Sequence, residues 1–323
     1  MDAIAAALGS PADERLLRGI GDDCAIVRSR PVTLTSVDSY VEGVHFRLDP
    51  GWPEPAQIGA RALAASLSDL AAMGARPAEA YVALGVPERF GERRALELMR
   101  GAAQAAAGAG AQIAGGDLVS APILFISVTV VGWAAQESDV VTRAGAQPGD
   151  LLAVTGAIGG AGAGLMLLQR GEGARSDPPA LRALARLRAP RPRLAAGLAL
   201  AQAGAHAMID LSDGLAEDAL QLARSSSLAV EIDLQSLPLE EGLHELCAQL
   251  QRDPYELAAS AGEDYELCVA LPPTALARAR EVLARSEGLA LTVIGRLSAG
   301  APSVAFRAPD GGVRRLRGYE HRI

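Results

Sequence analysis

Hydrophobic positions along the first half of the chain follow two alternating patterns. Residues 32–38, 80–86 and 123–133 are rich in β-branched and other apolar side chains, and each segment predicts a strand. Residues 57–73 and 92–107 are longer Ala- and Leu-rich segments that stop near a glycine, and they predict helices. Strands and helices mixed in this way are typical of layered α+β domains.

A second pattern of the same kind begins after residues 142–150, the segment TRAGAQPGD, which is polar and interrupted by glycine and proline. A strand is predicted at 207–210 and a helix at 212–224. The chain has 323 residues, which is more than one average domain. We therefore predict an α+β (α/β-type mixed) fold of two domains, residues 1–142 and residues 143–323.

Composition and charge narrow the class of partner. The formal net charge is −8 and the chain has no basic block, so we expect neither nucleic acid nor an anionic membrane as a partner. The cysteines Cys24, Cys247 and Cys268 are far apart, which argues against a zinc site or a disulfide framework and predicts a cytoplasmic protein. We recognise neither a signal peptide nor an uninterrupted apolar stretch of about 18 residues.

The chain contains no lysine, so arginine supplies every side-chain cation other than histidine. This excludes a P-loop of the GxxxxGK[ST] type and the strand lysine of protein kinases. If the protein handles nucleotide phosphates, metal ions and arginine must provide the positive charge.

Oxygen-bearing residues at the ends of predicted elements are the candidate ligands of the first half. Asp22 follows the glycine turn of GIGDDCA, and Ser36, the carbonyl of Val37 and Asp38 follow an apolar strand. Asp69 lies late in a predicted helix among apolar neighbours, where a charge requires a partner. Carboxylate, hydroxyl and carbonyl oxygens are the ligands that Mg²⁺ prefers.

Glycine turns and strand ends supply further candidates. Asp117 follows two glycines, which predicts a turn where the backbone can approach a phosphate. Asp210 ends a predicted strand, and Ser212 or Asp213 is predicted to cap the following helix, where a phosphate is favoured. Glu263, in GEDYEL, is either a solvated loop residue or a contact for a cationic substrate. Each pattern alone is also common in ordinary turns and caps.

His45, in VEGVHF, leaves two interpretations open. Imidazole is not an expected ligand of Mg²⁺, which prefers oxygen. The ring either contacts a substrate or packs beside Phe46, and without further context the sequence favours packing.

Together, the motifs occur in an order that resembles the thiamine-monophosphate kinase family. The matching segments are GIGDDCA, TSVDSYVEGVHF, SDLAAMGARP, GGDL, TRAGAQPGD, DLSDGL, GEDYEL and GYEHR. They run from Gly19 to Arg322 and so span nearly the whole chain. The VEGVHF and SDLAAMGA segments are specific, whereas GGD and GED alone are not.

The resemblance implies a fold and a reaction. The wider superfamily, which includes aminoimidazole ribonucleotide synthetase, has two α+β domains, and its N-terminal domains pair across a homodimer into a β-barrel. The implied reaction is in-line phosphoryl transfer from ATP to thiamine monophosphate, which gives thiamine diphosphate with the help of several Mg²⁺ ions and no acid–base residue. Residues 1–142 would bind ATP and metal and form the dimer, and residues 143–323 would complete the ATP and substrate site.

The resemblance also assigns roles to single residues. The implied metal ligands are Asp22, Ser36, Val37 through its carbonyl, Asp38, Asp69, Asp117, Asp210 and Asp213. The implied ATP contacts are Gly116, Asp117, Arg143 and Ser212. The implied contacts of thiamine monophosphate are His45, Glu263 and Tyr319. The chain departs from the common pattern of the family at Leu118, where a hydroxyl residue is frequent, at Ser66, where Asn is common, and at Tyr319, which replaces a frequent Trp.

Two other interpretations stay open. The chain could be a synthetase of the same superfamily with another acceptor, although selenophosphate synthetase has its reactive Cys or selenocysteine before the GDD element, and Cys24 follows that element. It could also be a nucleotide or metal sensor that kept the pocket and lost turnover, although the carboxylates are intact.

Overall fold

The computed structural model describes residues 14–20 and 24–320, and these form two compact units. Unit 1 contains the described residues up to Leu70 together with Ala75–Glu137, and unit 2 contains Ala71–Gly74 and the described residues from Ser138 onward. The predicted metal ligand Asp22 lies outside the described residues, as does Asp23.

Unit 1 is built on a mixed four-stranded sheet with the strand order β3-β6-β4-β5. Strand β6 pairs antiparallel with both β3 and β4, and β4 pairs parallel with β5. The described strands of unit 1 are β1 (Leu16–Arg18), β2 (Ile26–Val27), β3 (Val32–Val41), β4 (Arg76–Val86), β5 (Gln112–Ser120) and β6 (Phe125–Ala134).

The described part of unit 1 also contains two α-helices, α1 (Pro55–Ala72) and α2 (Gly91–Gly108). Helix α1 lies against β6, since the Ser66 hydroxyl donates to the Val128 carbonyl at 3.5 Å. Along β3 the side chains alternate between a buried face and an exposed face, as the pleat requires. Leu34 and Tyr40 are buried, whereas the side chain of Val37 on the other face is 60% exposed.

Unit 2 contains a seven-stranded mixed sheet with the order β13-β12-β9-β11-β7-β10-β8. Its interior strands β7 and β10 and its edge strand β8 are buried at every position, which fits strands covered on both faces. The strands are β7 (Leu151–Thr155), β8 (Ala207–Asp210), β9 (Leu228–Asp233), β10 (Leu267–Leu271), β11 (Leu291–Ala299), β12 (Ser303–Arg307) and β13 (Val313–Arg314). The helices are α3 (Gly160–Gln169), α4 (Pro178–Arg188), α5 (Leu194–Ala203), α6 (Leu215–Ser226), α7 (Leu243–Leu250), α8 (Pro254–Ser260) and α9 (Leu276–Ser286).

The predicted turn at Asp117 is wrong. Residues 115–117 lie inside strand β5, where Gly116 pairs with Val82 and Asp117 with Ala83 of β4. A Cβ at Gly116 would lie only 2.0 Å from the Val82 carbonyl oxygen. The glycine therefore allows two strands to approach each other, and a turn is not needed to explain it.

The predicted caps of the helix at 212–224 are also wrong. Helix α6 begins at Leu215, its N-cap residue is Gly214, and no side chain caps it. Ser212 and Asp213 precede the helix in an open turn, because Gly214 has a positive φ of 101° that reorients the chain there. None of the described helices is long and apolar enough to cross a membrane.

Candidate active site

Three predicted metal ligands of unit 1 lie on one face of strand β3 or directly against it. Ser36 and Asp38 are two residues apart, so they share the face of β3 that carries Leu34 and Tyr40. The Ser36 hydroxyl donates to Oδ2 of Asp69, which is near the C-terminal end of helix α1. This bond supplies a partner for a carboxylate that the helix dipole does not favour. The cluster presents hydroxyl and carboxylate oxygens.

Asp117 does not join this cluster within unit 1. Asp38 is on β3 and Asp117 is on β5, and strands β6 and β4 lie between them. Three strand spacings, roughly 14 Å, therefore separate β3 from β5. The register places Asp117 beside Ala83, and Ala83 beside Ser127. The Asp117 side chain is exposed, and its Oδ1 accepts the backbone N–H of Leu118 at 2.9 Å.

His45 packs and is oriented at the same time. Its ring stacks on the ring of Tyr40 with the centroids 5.0 Å apart, and the guanidinium carbon of Arg61 lies 5.7 Å from the centroid of the same Tyr40 ring. The backbone N–H of Val41 donates to Nδ1 of His45 at 3.1 Å. A neutral ring that accepts at Nδ1 carries its hydrogen on Nε2, so His45 is arranged as a hydrogen-bond donor.

Three sequence motifs of unit 2 meet through backbone hydrogen bonds. The N–H of Glu263 donates to the Ser212 carbonyl at 2.8 Å, and the N–H of Tyr319 donates to the Asp213 carbonyl at 2.8 Å. Asp210, at the end of β8, directly precedes this turn. The predicted residues of unit 2 other than Arg143 therefore surround one turn, which we call the unit 2 site: Asp210, Ser212, Asp213, Glu263 and Tyr319.

Glycines make the close approach at the unit 2 site possible. A Cβ at Gly262 would lie 2.2 Å from the Ser212 carbonyl oxygen, and one at Gly318 would lie 2.4 Å from the Asp213 carbonyl oxygen. Both glycines directly precede a predicted substrate contact, Glu263 or Tyr319. Half of the Tyr319 side chain is exposed, 51%, so its ring is accessible for stacking.

Arg143 lies in the polar segment that opens unit 2. Its carbonyl accepts the Ser226 hydroxyl at 3.1 Å, and the neighbouring Thr142 carbonyl accepts the N–H of Met208 at 3.0 Å. The backbone is thus tied to α6 and β8. The guanidinium is exposed and forms no ion pair with any residue in the described part of the chain.

Asp218 is a functional candidate that the sequence reasoning missed. It is only 3% exposed, and its Oδ2 accepts the N–H of Asp213 at 3.2 Å. Burial raises the pKa of its carboxyl well above the usual value, and the nearby carboxylates of Asp210 and Asp213 raise it further. Three carboxyl groups therefore lie close together at this turn, and a bound cation would favour their ionised forms. An acidic residue in the first turn of a helix is too common to be recognised from sequence.

The GEDYEL motif contains two more carboxylates that the sequence reasoning did not separate from Glu263. Asp264 is 5% exposed and Glu266 is 0% exposed, whereas Glu263 is partly exposed. Asp264 accepts the N–H groups of Gly159 at 2.7 Å and Ala161 at 3.2 Å, at the start of α3. Burial raises the pKa of Asp264 to about 7, although these N–H groups oppose the rise.

The glycine-rich start of α3 is therefore not a phosphate site. Helix N-termini preceded by glycines commonly bind phosphate through their free N–H groups. Here the carboxylate of Asp264 already accepts those N–H groups. An internal anion occupies the position that a phosphate would need.

The candidate ligands suit a Mg²⁺ ion that is held by few protein oxygens. No three His, Cys, Asp or Glu side chains in residues 14–20 and 24–320 lie together as a ready-made metal site. The candidates are nevertheless carboxylate and hydroxyl oxygens, the donor type that Mg²⁺ selects. Mg²⁺ commonly uses one or two carboxylates and completes its shell with waters and substrate phosphates, so sparse protein ligands are compatible with it.

Two family models match the chain in succession and define its class. The model of the AIR synthase related protein, N-terminal domain, matches residues 21–134, and that of the AIR synthase related protein, C-terminal domain, matches residues 147–306. The chain is thus an AIR synthase related protein, and the predicted two-domain α+β fold with mixed sheets is confirmed.

Closer relatives identify the family. The thiamine-monophosphate kinase of Halobacterium salinarum is 34% identical over 95% of this chain and 96% of the relative. The crystal structure of thiamine-monophosphate kinase from Stenotrophomonas maltophilia K279a is 34% identical, covers 97% of this chain and 96% of that chain, and has a TM-score of 0.84. A solved structure described as AaThiL complexed with AMPPCP and TMP is 30% identical, covers 94% of this chain and 91% of that chain, and has a TM-score of 0.80. This chain belongs to the thiamine-monophosphate kinase family.

Proposed function

We propose that this protein transfers a phosphoryl group from ATP to thiamine monophosphate and so produces thiamine diphosphate. The family membership supports the reaction, as does the related structure with AMPPCP, an ATP analogue, and TMP. The observation that carries the proposal is the backbone pairing of Glu263 with Ser212 and of Tyr319 with Asp213. These bonds place residues proposed for the thiamine phosphate beside residues proposed for ATP and metal.

The chemistry requires charge neutralisation more than acid–base catalysis. The γ-phosphate of ATP and the acceptor phosphate are both anionic, and two unit charges 4 Å apart repel by about 4 kcal/mol at an effective dielectric constant of 20. The acceptor oxygen is already ionised near neutral pH, so no general base is needed. We therefore infer direct in-line transfer, in which positioning and electrostatics lower the barrier.

In this proposal, residues of each unit supply oxygen ligands for Mg²⁺ and contacts for the two substrates. Mg²⁺ ions would neutralise phosphate charge when bound, and the residues that would hold them are Asp22, Ser36, Val37, Asp38, Asp69, Asp117, Asp210 and Asp213. Gly116, Asp117, Arg143 and Ser212 would contact ATP. The exposed Arg143 guanidinium suits this task, because the chain has no lysine to offer in its place. His45 would donate from Nε2 to the thiamine phosphate, Glu263 would face its cationic part and Tyr319 would stack on it.

We also infer that the protein is a homodimer in which the sheets of unit 1 pair into a β-barrel. The support is the exposed face of that sheet, on which Val37 is 60% and Val119 43% exposed. Apolar side chains exposed on a sheet face are typical of an interface. Residues 1–142 would then provide dimerisation, and the cytoplasmic location stays a prediction.

The reaction is tested by incubating the purified protein with ATP, MgCl₂ and thiamine monophosphate and separating the products. We expect ADP and thiamine diphosphate in equal amounts, and no product when EDTA removes the metal. Retention of configuration at a chiral γ-phosphate would contradict in-line transfer. ADP formation with another acceptor but not with thiamine monophosphate would favour a different superfamily synthetase, and tight nucleotide binding without any product would favour a sensor.

A further inference from the structure

The segment of residues 261–266, between α8 and β10, has an unusual backbone. Glu263 and Tyr265 have positive φ angles of 67° and 51°. Non-glycine residues seldom adopt this left-handed conformation, and it persists where the surrounding structure holds it. We call this segment the GED loop, and the two anchors described next are formed by residues of unit 2.

One anchor of the GED loop is Asp264. Its two carboxylate oxygens accept the N–H groups of Gly159 and Ala161, at the N-terminal end of α3. A carboxylate at a helix N-terminus interacts favourably with the helix dipole as well as with the free N–H groups. Helix α3 thus fixes the residue that follows Glu263.

The second anchor is Glu266, which has no exposed surface. The Thr155 hydroxyl donates to its Oε2 at 2.8 Å, Arg193 Nε donates to the same oxygen at 2.8 Å, and Arg186 Nη2 donates to Oε1 at 2.9 Å. A buried carboxylate is tolerated only when it is paired and hydrogen-bonded in this way. The end of the GED loop is therefore fixed by residues from β7, α4 and the segment before α5.

Glu263 is the third acidic residue of the GED loop. It is not one of the two anchors, and it stays partly exposed. Its own N–H is bonded to the Ser212 carbonyl, and the Tyr265 N–H is bonded to the Leu211 carbonyl at 2.9 Å. The loop is thus held from two sides, by buried carboxylates on one and by the turn of the unit 2 site on the other.

We propose that Asp264 and Glu266 are positioning residues, which hold the GED loop in the strained conformation that presents Glu263 to the substrate. The role of Glu263 as a substrate contact rests on the proposed function. The alternative is that the two carboxylates only stabilise the core, and the two roles differ in what substitution would change.

The test compares Asp264→Asn and Glu266→Gln with Glu240→Gln and Glu287→Gln as matched controls. Glu240 pairs with Arg186 at 3.3 Å and Glu287 with Arg193 at 3.6 Å. Arg186 and Arg193 are the two arginines that donate to Glu266, so each control removes a carboxylate partner from one of them without altering the GED loop. Asn has nearly the shape of Asp, but its NH2 group cannot accept a backbone N–H, so Asp264→Asn removes one bond of the anchor with little change in side-chain volume. Asp264→Asn therefore keeps the test usable if Glu266→Gln does not fold.

We expect both anchor variants to raise the KM for thiamine monophosphate about tenfold, with kcat and the KM for ATP within about twofold of the parent protein. The two controls should leave all three constants within about twofold. In a Glu263→Gln background, adding Asp264→Asn should change the KM by less than about twofold, because the anchor acts through Glu263. Additive effects on KM, or equal effects on both substrates, would overturn the proposal.

A second measurement does not depend on the substrate. Hydrogen exchange of the Glu263 and Tyr265 amides in the ligand-free protein should become about tenfold faster in Asp264→Asn and stay unchanged in Glu240→Gln. Unchanged exchange in both variants would reject the positioning role even if the enzyme is active. If the parent protein forms no thiamine diphosphate, the proposed function fails, and the exchange rates still decide whether Asp264 holds the loop.

Discussion

Neighbouring carboxylates in this chain have very different environments although their sequence contexts look alike. In GEDYEL, the sequence predicts Glu263 as a ligand contact through a family resemblance, but it does not distinguish Glu263 from Asp264 or Glu266. Burial separates them, and burial depends on β7, α3 and α4, which are more than 70 residues away in the chain. Loops have no periodicity that reveals which side chains face inward, so this part of the site could not be predicted from local pattern.

Asp38 provides the sharpest prediction at the scale of the residue. Replacing it by Asn keeps the shape but removes a charge from the face of β3 shared with Ser36 and next to Asp69. We expect kcat to fall about a hundredfold or more, because a proposed metal ligand is lost. The midpoint of thermal unfolding should stay within a few degrees, since no hydrogen bond of the sheet is removed.

Ser39→Ala is the control for Asp38→Asn. Ser39 lies next to Asp38 on the opposite face of β3, and its hydroxyl is exposed and bonded to that of Ser127 at 3.1 Å. Steady-state kinetics with ATP and thiamine monophosphate should show near-parent activity for this variant. Near-parent turnover of Asp38→Asn would rule out its metal role.

At the scale of elements, strongly apolar segments were predictable and glycine-rich segments were not. The strand predicted at 207–210 is β8, with the same bounds in the structure. The Gly115-Gly116-Asp117 segment, by contrast, predicts a turn yet continues strand β5. Glycine weakens a strand locally, so sequence reasoning assigns it to turns. Tertiary pairing with β4 overrides that preference, because the glycine is what allows the carbonyl of Val82 to approach.

This explanation of Gly116 predicts a difference between two adjacent glycines. A Cβ at Gly116 would collide with the Val82 backbone at 2.0 Å, whereas one at Gly115 would meet the Tyr81 ring at 3.2 Å, and a ring can move. We expect Gly116→Ala to lower the free energy of unfolding by about 2 kcal/mol or more, and Gly115→Ala to lower it by less than about 1 kcal/mol. Urea unfolding without nucleotide measures both. Equal stabilities would mean that Gly116 is required only for ATP.

At the scale of the whole molecule, the sequence predicts two domains from length and from the polar segment at 142–150, but it does not by itself predict an assembly. The dimer came from the family resemblance alone. The structure adds a physical reason within unit 1, because one face of its sheet carries exposed valines while Leu34 and Tyr40 on the other face are buried. Single-chain patterning cannot distinguish a solvated sheet face from one that a second copy covers, since both alternate with a period of two residues.

Val37→Asp tests the proposed dimer. If the exposed sheet face of unit 1 is the interface, this substitution buries a carboxylate without a partner in each copy, which costs several kcal/mol and should dissociate the dimer into single chains. Val313→Asp is the matched control, because Val313 in β13 of unit 2 is equally accessible, 62% exposed against 60% for Val37. Light scattering during size-exclusion chromatography should give the mass of two chains for the parent protein and Val313→Asp, and of one chain for Val37→Asp. A parent protein that elutes as a single chain at micromolar concentration, or a Val37→Asp variant that remains a dimer, would exclude this sheet face as the interface.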